Sequence, residues 1–363
     1  MEQRISACRG CLLGLAVGDA MGYIVDERSW QEIREDYGPN GLLGYDMVNG
    51  CAAGSSYTQV AAYAANGLLL SITRGKPELT AGYINLALRE WARAQHFPRD
   101  PERSWCWVAK LPQMRVRRCK DSRMLDALRL DTPGTPEKPQ NRAATPGGLP
   151  AAVAVGLACG GRGLPRELAP QLGAQTVALT HGDAEAFLCG SVLAACISGI
   201  LAEPEISLAQ QWENAIGQLE AAFSGRFEQV QPLAEALRRA LAMGQREQAD
   251  PRAVMEELGC DNARQCLCGT VFATLQSTED FDGAMILAVN HSGRSAAVGC
   301  LTGAVLGARM GGEALPEFYL ECLEPAEMLE ELSRDLALGS PTSGLFDDDW
   351  DHKYVQGLPL KKL

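Results

Sequence analysis

Near the start of the chain, residues 9–22 read RGCLLGLAVGDAMG, an apolar run in which Gly14, Gly18 and Gly22 stand four residues apart. That spacing places the three glycines along one face of an α-helix. The same spacing returns late in the chain, at Gly299, Gly303 and Gly307. Because glycine has no side chain, a second helix can approach such a face closely. We therefore predict two core helices, the later one beginning near Ser295, whose glycine faces are candidates to pack together.

Helical periodicity extends well beyond these two runs, as at the positions Tyr63, Gly67 and Leu70. Alternating strand patterns and hairpin dipeptides are scarce, so the sequence predicts an all-α fold. The longest irregular stretch, residues 132–150, is of a length that is usually functional or disordered. No shift in composition marks a second domain. We expect one helical domain over residues 1–339, with a tail over 340–363 that packs on it or extends from it.

The net charge and the cysteine content limit the classes of molecule that the protein is expected to bind. The chain has 363 residues, 46% of them hydrophobic, and a net charge of −12. That charge argues against nucleic acid and membrane as partners, because both are bound by clustered Lys and Arg. The 13 cysteines are scattered through helical sequence, which is typical of free thiols in a reducing compartment. With no leader segment and no 18-residue apolar run, we expect a cytoplasmic monomer that binds small molecules or proteins.

Five blocks of the sequence resemble, in order, the motifs of the ADP-ribosylglycohydrolase family, of the dinitrogenase-reductase-activating glycohydrolase and crystallin J1 type. The blocks lie at residues 9–22, 55–60, 141–157, 178–182 and 289–312. The resemblance covers essentially the whole chain. It implies a compact, orthogonal multi-helix bundle with a central cleft, where two Mg²⁺ ions hold ADP-ribose and assist cleavage of its glycosidic bond.

The two metal-binding motifs of that family are altered in this chain. The family's Thr-Asp-Asp cluster aligns to Ser55, Ser56 and Tyr57, and its late Asp-x-Asp-Thr/Ser cluster aligns to Arg294, Ala296 and Ala297. Four carboxylates are therefore missing and one cation is added, although Mg²⁺ needs several oxygen ligands. Like charges about 4 Å apart repel by about 4 kcal/mol at an effective dielectric of 20, and a dication beside Arg294 would face roughly twice that. We predict no metal site and no cofactor.

The candidate site residues follow from the same alignment. Three acids near the opening helix, Asp19, Asp26 and Glu27, are candidate catalytic groups, and charge balance suggests that Arg294 pairs with one of them. The residues expected in a ligand-binding cleft are Ser55, Ser56, Tyr57, Thr58, Asn141, Gly147, Gly148, His181, His291, Ser292, Gly293, Arg294 and Ser295. Structural roles remain open: Asp19 could be a cap or an ion-pair partner, and the residues at 55, 56 and 58 are good helix N-caps.

Three functions are compatible with this pattern. The first is a pseudoenzyme that binds ADP-ribose, an ADP-ribosylated protein or a protein partner. The second is a metal-independent N-glycosidase or ADP-ribosyl hydrolase that uses the remaining acids. The third is a structural, crystallin-like protein. The sequence alone leaves open whether the chain is an enzyme, but any hydrolysis would not depend on two Mg²⁺ ions.

Overall fold

The structure is a computed structural model that describes residues 1–47, 49–97, 104–161, 163–341 and 348–355. Over these ranges it contains α-helices, short 3-10 turns and no β-strand, apart from one isolated bridge between Ala52 and Leu323. The predicted all-α class is confirmed. The helices are α1 (Glu2–Tyr23), α2 (Trp30–Tyr37), α3 (Ser56–Arg74), α4 (Thr80–His96), α5 (Ser122–Ala127), α6 (Leu149–Gly160), α7 (Ala169–Ala178), α8 (Ala184–Ala202), α9 (Leu208–Phe223), α10 (Val230–Gly244), α11 (Pro251–Leu258), α12 (Ala263–Gln276), α13 (Phe281–Val289), α14 (Ser295–Met310), α15 (Glu317–Leu320), α16 (Ala326–Leu338) and α17 (Asp348–Tyr354).

Helices α1 and α14 form the centre of the fold and pack antiparallel along their glycine faces. A Cβ atom built on Gly18 would lie 1.9 Å from the carbonyl oxygen of Gly299. One built on Gly303 would lie 1.9 Å from the carbonyl oxygen of Gly14. The two helix backbones therefore lie so close together that no side chain fits between them at these positions. The predicted contact between the two glycine faces is therefore confirmed, and α14 begins at the expected residue, Ser295.

The other helices surround this pair. Helix α3 packs against α4 and α6, helix α8 against α6, α7 and α9, and helices α12, α13 and α16 cover α1 and α14. Helices α1 and α8 are long and apolar enough to cross a membrane, but 83% of the relevant window of each is buried inside the protein. Burial in the core accounts for their composition.

Part of the predicted tail lies outside the described residues. Of residues 340–363, the structure describes 340, 341 and 348–355. Helix α17 packs on the body of the protein, where the Trp350 indole donates a hydrogen bond to Thr73 Oγ1 (3.0 Å). Lys353 contacts Asp335 (3.6 Å), which lies on α16.

The irregular stretch around 132–150 ends in a 3-10 turn, Pro146–Gly148, that leads into α6. Because α1 and α14 are antiparallel, the end of α1 and the start of α14 lie side by side. The start of α3 and the 3-10 turn lie next to them, and together these segments enclose a cleft.

Candidate ligand-binding cleft

The cleft has a volume of about 50 Å³ and is walled by the ends of several helices. Seven of its lining residues were predicted from the sequence: Asp26, Glu27, Ser55, Ser56, Tyr57, Gly147 and Arg294. Seven more were not: Tyr23, Arg118, Cys119, Lys120, Asp121, Met124 and Thr145. Three cations and three acids therefore face the same small space.

Asp19, the first catalytic candidate, lies behind the cleft and not on its lining. Its Oδ2 atom accepts hydrogen bonds from the backbone N–H groups of Ser55 (2.9 Å) and Thr58 (3.0 Å) and from the Thr58 hydroxyl (2.6 Å). Ser55 is the N-cap of α3 and accepts from the Tyr57 N–H group (3.1 Å). Asp19 Oδ2 thus ties α1 to the first turn of α3, which is the structural role that the sequence left open, while Oδ1 is buried without a hydrogen-bond partner. The catalytic role of Asp19 stays a prediction.

Asp26 and Glu27 lie in the turn that follows α1. Asp26 Oδ1 accepts from the backbone N–H of Ala296 at the start of α14 (3.1 Å). Burial raises the pKa of Asp26 to about 6, although this hydrogen bond opposes the shift. Glu27 has a left-handed backbone, with φ of 62°, and its N–H donates to the Gly293 carbonyl (2.9 Å). The turn therefore holds both carboxyl groups against the start of α14.

Arg294 precedes α14 and projects toward these acids. Its Nη1 atom lies 2.9 Å from Glu27 Oε1, and its Nε atom donates to the Asp261 carbonyl oxygen (3.1 Å). Glu27 also lies 4.0 Å from the ammonium group of Lys120. The pairing expected from charge balance is thus present, with Glu27 as the acid. Glu27 is therefore shared by two cations, and Arg294 has a second carboxylate nearby, since its Nε atom lies 3.5 Å from Asp261 Oδ1.

Asp121, Thr145 and His181 form a network that the sequence analysis did not identify. The Thr145 hydroxyl donates to Asp121 Oδ2 (2.6 Å) and lies 2.9 Å from His181 Nε2. Asp121 Oδ1 caps α5 by accepting from the backbone N–H of Arg123 (3.0 Å). Burial alone would raise the pKa of Asp121, but the His181 ring and the Thr145 hydroxyl outweigh it and hold that pKa below its usual range. Asp121 is therefore a carboxylate kept ionised at the cleft wall.

The remaining predicted cleft residues shape the site from behind. Asn141 bridges two loops, since its side chain donates to the Thr180 carbonyl (2.9 Å) and accepts from the Gly182 N–H (2.9 Å). Gly148 has no room for a side chain, because a Cβ atom would lie 2.8 Å from His181 Nδ1. Thr58 is buried against Asp19, as described above.

Of the segment 291–295, which we expected to lie in the cleft, only Arg294 is on its lining. His291 is buried, its Nε2–H group lies 3.0 Å from the Ala288 carbonyl, and burial lowers its pKa to about 4. The Ser292 hydroxyl oxygen accepts from the Trp30 N–H (2.8 Å). Gly293 lies against the backbone of Cys260, and Ser295 is buried.

The carboxylate groups in and behind the cleft are each engaged by a protein donor, which is unfavourable for a two-magnesium site. Mg²⁺ requires close octahedral coordination by oxygen ligands, chiefly carboxylates and water. Here Asp19 Oδ2 accepts three hydrogen bonds and only its Oδ1 atom lacks a partner, Asp26 accepts from α14, and the Arg294 guanidinium pairs with Glu27. In the described part of the chain, no group of three or more His, Cys, Asp or Glu side chains is arranged to hold a metal ion.

Comparisons with known proteins agree on the fold. The ADP-ribosylglycohydrolase family model matches residues 1–345. A chain of solved structure, described as an ADP-ribosylglycohydrolase-related protein complex, superimposes with a TM-score of 0.61 at 24% identity, over 94% of this chain and 100% of that one. At this identity the likeness shows the fold alone. No curated protein matches the chain.

Proposed function

Because the chain belongs to the ADP-ribosylglycohydrolase family, we propose that it binds ADP-ribose or an ADP-ribosylated protein without magnesium and without metal-assisted hydrolysis. One observation carries this proposal. The guanidinium of Arg294 pairs with Glu27 on the cleft lining, at a position that the family resemblance aligns with a metal-binding acid. A fixed cation therefore occupies the position of a metal ligand, and the protein is a pseudoenzyme with respect to two-metal hydrolysis.

The charges of the cleft suit a diphosphate group. Guanidinium and ammonium groups bind phosphate oxygens through short, charge-assisted hydrogen bonds. Arg118, Lys120 and Arg294 line the cleft, and the first turn of α3 adds the positive end of a helix dipole. These groups could take the place of Mg²⁺ in neutralising a bound diphosphate.

Binding requires the cleft to open, because about 50 Å³ is too small for a nucleotide. The contacts that close it are partly exposed: the side chains of Glu27 and Lys120 are 45% and 67% accessible. Exposed ion pairs of this kind contribute about 0–1 kcal/mol each. A ligand phosphate can therefore displace the Glu27 carboxylate from Lys120 and Arg294 at a small cost in free energy.

Calorimetric titration with ADP-ribose tests the proposal on the wild type, Arg294→Ala and the matched control Arg74→Ala. Arg74 is exposed at the other end of α3. We expect binding in EDTA that weakens by about tenfold or more in Arg294→Ala and is unchanged in the control. Binding that strictly requires Mg²⁺ would contradict the proposal. The absence of binding in every condition would favour a protein partner or a structural role.

A second candidate function, metal-independent glycoside hydrolysis, is favoured by the two carboxyl groups of the cleft wall. Asp26 has a pKa of about 6, whereas Asp121 is held ionised. Glycosidases separate the pKa values of two carboxyl groups in this way, so that one protonates the leaving group while the other acts as base or nucleophile. We would measure EDTA-resistant release of ADP-ribose from ADP-ribosyl-arginine. Activity should fall as the pH rises above about 6 and be lost in Asp26→Asn; no activity above the Asp26→Asn background would exclude this candidate for this substrate.

A further inference from the structure

A second cavity, of about 300 Å³, lies at the opposite end of the α1 and α14 pair from the cleft. It is formed by the first turns of α1 and by the last turns of α8 and α14. Its volume is at the lower end of the range found for small-molecule sites. The lining includes two arginines, Arg4 and Arg309, and the described residues contribute no acidic side chain to it.

The two arginines lack acidic partners among the described residues. Arg4 Nε is shielded from solvent and has no hydrogen-bond acceptor. A shielded guanidinium N–H group without an acceptor is unfavourable, because burial removes its water and supplies nothing in return. Arg309 donates one hydrogen bond, from Nη1 to the Pro204 carbonyl oxygen. Arg4 and Arg309 form no ion pair with a described residue, so the outer N–H groups of both guanidinium groups are left for a ligand in the cavity.

Glu2 and Glu205 lie near the cavity in the sequence but are not on its lining, and two further acids nearby are already paired. Glu313 accepts a hydrogen bond from the Ser6 hydroxyl and lies 3.8 Å from Arg9. Glu203 pairs with Arg166 at 2.6 Å. Two carbonyl groups at the C-terminal end of α8 are already hydrogen-bonded, since Gln211 Nε2 donates to the Gly199 and Glu203 carbonyl oxygens. In a protein of net charge −12, two arginines around a cavity without acids are an unusual local excess of positive charge.

We propose that this cavity binds a small dianion, a phosphate ester or a dicarboxylate, through Arg4 and Arg309. The planar guanidinium group presents paired N–H donors that match both kinds of anion. The start of α1, a 22-residue helix, adds a partial positive charge on the same side. The site is separate from the proposed ADP-ribose site, because it lies at the other end of a 16-residue helix, about 24 Å away at 1.5 Å per residue.

The test measures thermal unfolding and calorimetric binding in EDTA, with inorganic phosphate and succinate as probes and chloride of equal ionic strength as the reference. The proteins are the wild type, Arg4→Gln, Arg309→Gln, the control Arg74→Gln, and Arg294→Ala, which reports anion binding in the cleft. We expect a saturable rise in melting temperature with one probe or both, and binding that is weakened by about tenfold in each cavity variant but kept in Arg74→Gln. The two probes distinguish a phosphate from a dicarboxylate ligand.

The outcomes separate this site from the cleft. Stabilisation lost only in Arg294→Ala would assign the anion to the cleft and overturn the cavity proposal. Stabilisation no greater than that given by chloride would also overturn it. Both cavity variants should fold without ligand, because each removes a positive charge that lacks an acidic partner, and their melting temperatures without ligand verify this. Arg4→Gln and Arg309→Gln can therefore be compared with the wild type directly.

Discussion

The two ends of the α1 and α14 pair differ in how their charges are balanced. At the cleft end, Arg294 and Lys120 share Glu27, and Asp26 and Asp121 lie close by on the same lining. At the far end, Arg4 and Arg309 face a larger cavity to which no described acid contributes. The same two helices, packed backbone to backbone, connect the two ends. The smaller of the two sites is the one whose cations are already paired with acids, so a ligand must displace a carboxylate there but not at the far end.

The largest effect is expected from a variant that separates the helices and so disturbs both ends together. In Gly303→Ala the new Cβ atom would lie 1.9 Å from the Gly14 carbonyl oxygen, so α1 and α14 must move apart. Overpacking of this kind costs about 1–3 kcal/mol and occasionally more, and we expect the upper end because backbone must shift. Urea unfolding measures the loss.

Gly217→Ala is the matched control for that measurement. Gly217 lies within α9, and a Cβ atom there would meet nothing within 4 Å. Alanine is favoured over glycine inside a helix by about 0.5–1 kcal/mol, so this variant should be slightly more stable than the wild type. Equal stability of the two glycine variants would refute the close packing of α1 on α14.

The second variant, Asp19→Asn, affects the cleft end alone. Asp19 Oδ2 accepts from two backbone N–H groups and from the Thr58 hydroxyl, all buried. If the new amide turned its NH₂ group toward these three donors, they would lose their acceptor. If it turned its oxygen toward them, that neutral oxygen would accept more weakly than the carboxylate does. We expect a loss of about 2 kcal/mol in the free energy of unfolding. Asp250→Asn, at the exposed N-cap of α11, should change stability by a few tenths of a kcal/mol. A similar small change in Asp19→Asn would leave Asp19 free for another role.

The contribution of the sequence to these conclusions can be judged from particular residues. The fold was predictable, because glycines at 14, 18, 299 and 303 have a steric meaning that a helix makes unambiguous. The pairing of Arg294 with an acid was predictable from charge balance, although which acid was not. The placement of His291 was not predictable, because motif position does not tell on which side of a helix start a side chain is buried. The structural role of Asp19 was one of the alternatives that the sequence left open.

The sequence analysis missed several residues of the cleft because the fold brings distant segments together there. Asp121 and Lys120 lie in a segment without a family motif, and the fold brings them to the cleft from outside the aligned blocks. Thr145 lies inside an aligned block, but its contact with Asp121 depends on a 24-residue separation in the chain. One signal was available: Asp121 before Ser122 is a helix N-cap pattern, which placed the residue at the start of a helix but did not place that helix at the cleft.

The third prediction concerns the pH dependence of stability at the cleft end. Burial raises the pKa of Asp26 to about 6, from 3.8 when unfolded, so between these values the folded state binds more protons than the unfolded state. The free energy of unfolding therefore falls as the pH rises from 4 to 6, by about 2–3 kcal/mol from this group. In Asp26→Asn, the free energy of unfolding should no longer show this fall between pH 4 and 6. Asp121→Asn has the opposite expectation, since a lowered pKa gives stability that is lost as the pH falls below 4. A wild-type slope that persists in Asp26→Asn would refute the assignment.

The smallest effect is expected from Glu27→Gln, which makes the cleft end resemble the far end by leaving Arg294 and Lys120 without their shared carboxylate. Glutamine has nearly the same shape, so the left-handed turn at this position keeps its geometry. Because Glu27 is partly exposed, removal of its charge should strengthen the binding of ADP-ribose by about two- to tenfold in EDTA, which corresponds to about 0.4–1.4 kcal/mol. Glu35→Gln, on the exposed side of α2, controls for net charge. Tighter binding in both variants would indicate a general charge effect, whereas tighter binding in Glu27→Gln alone would show that this carboxylate occupies the place of the ligand's phosphate.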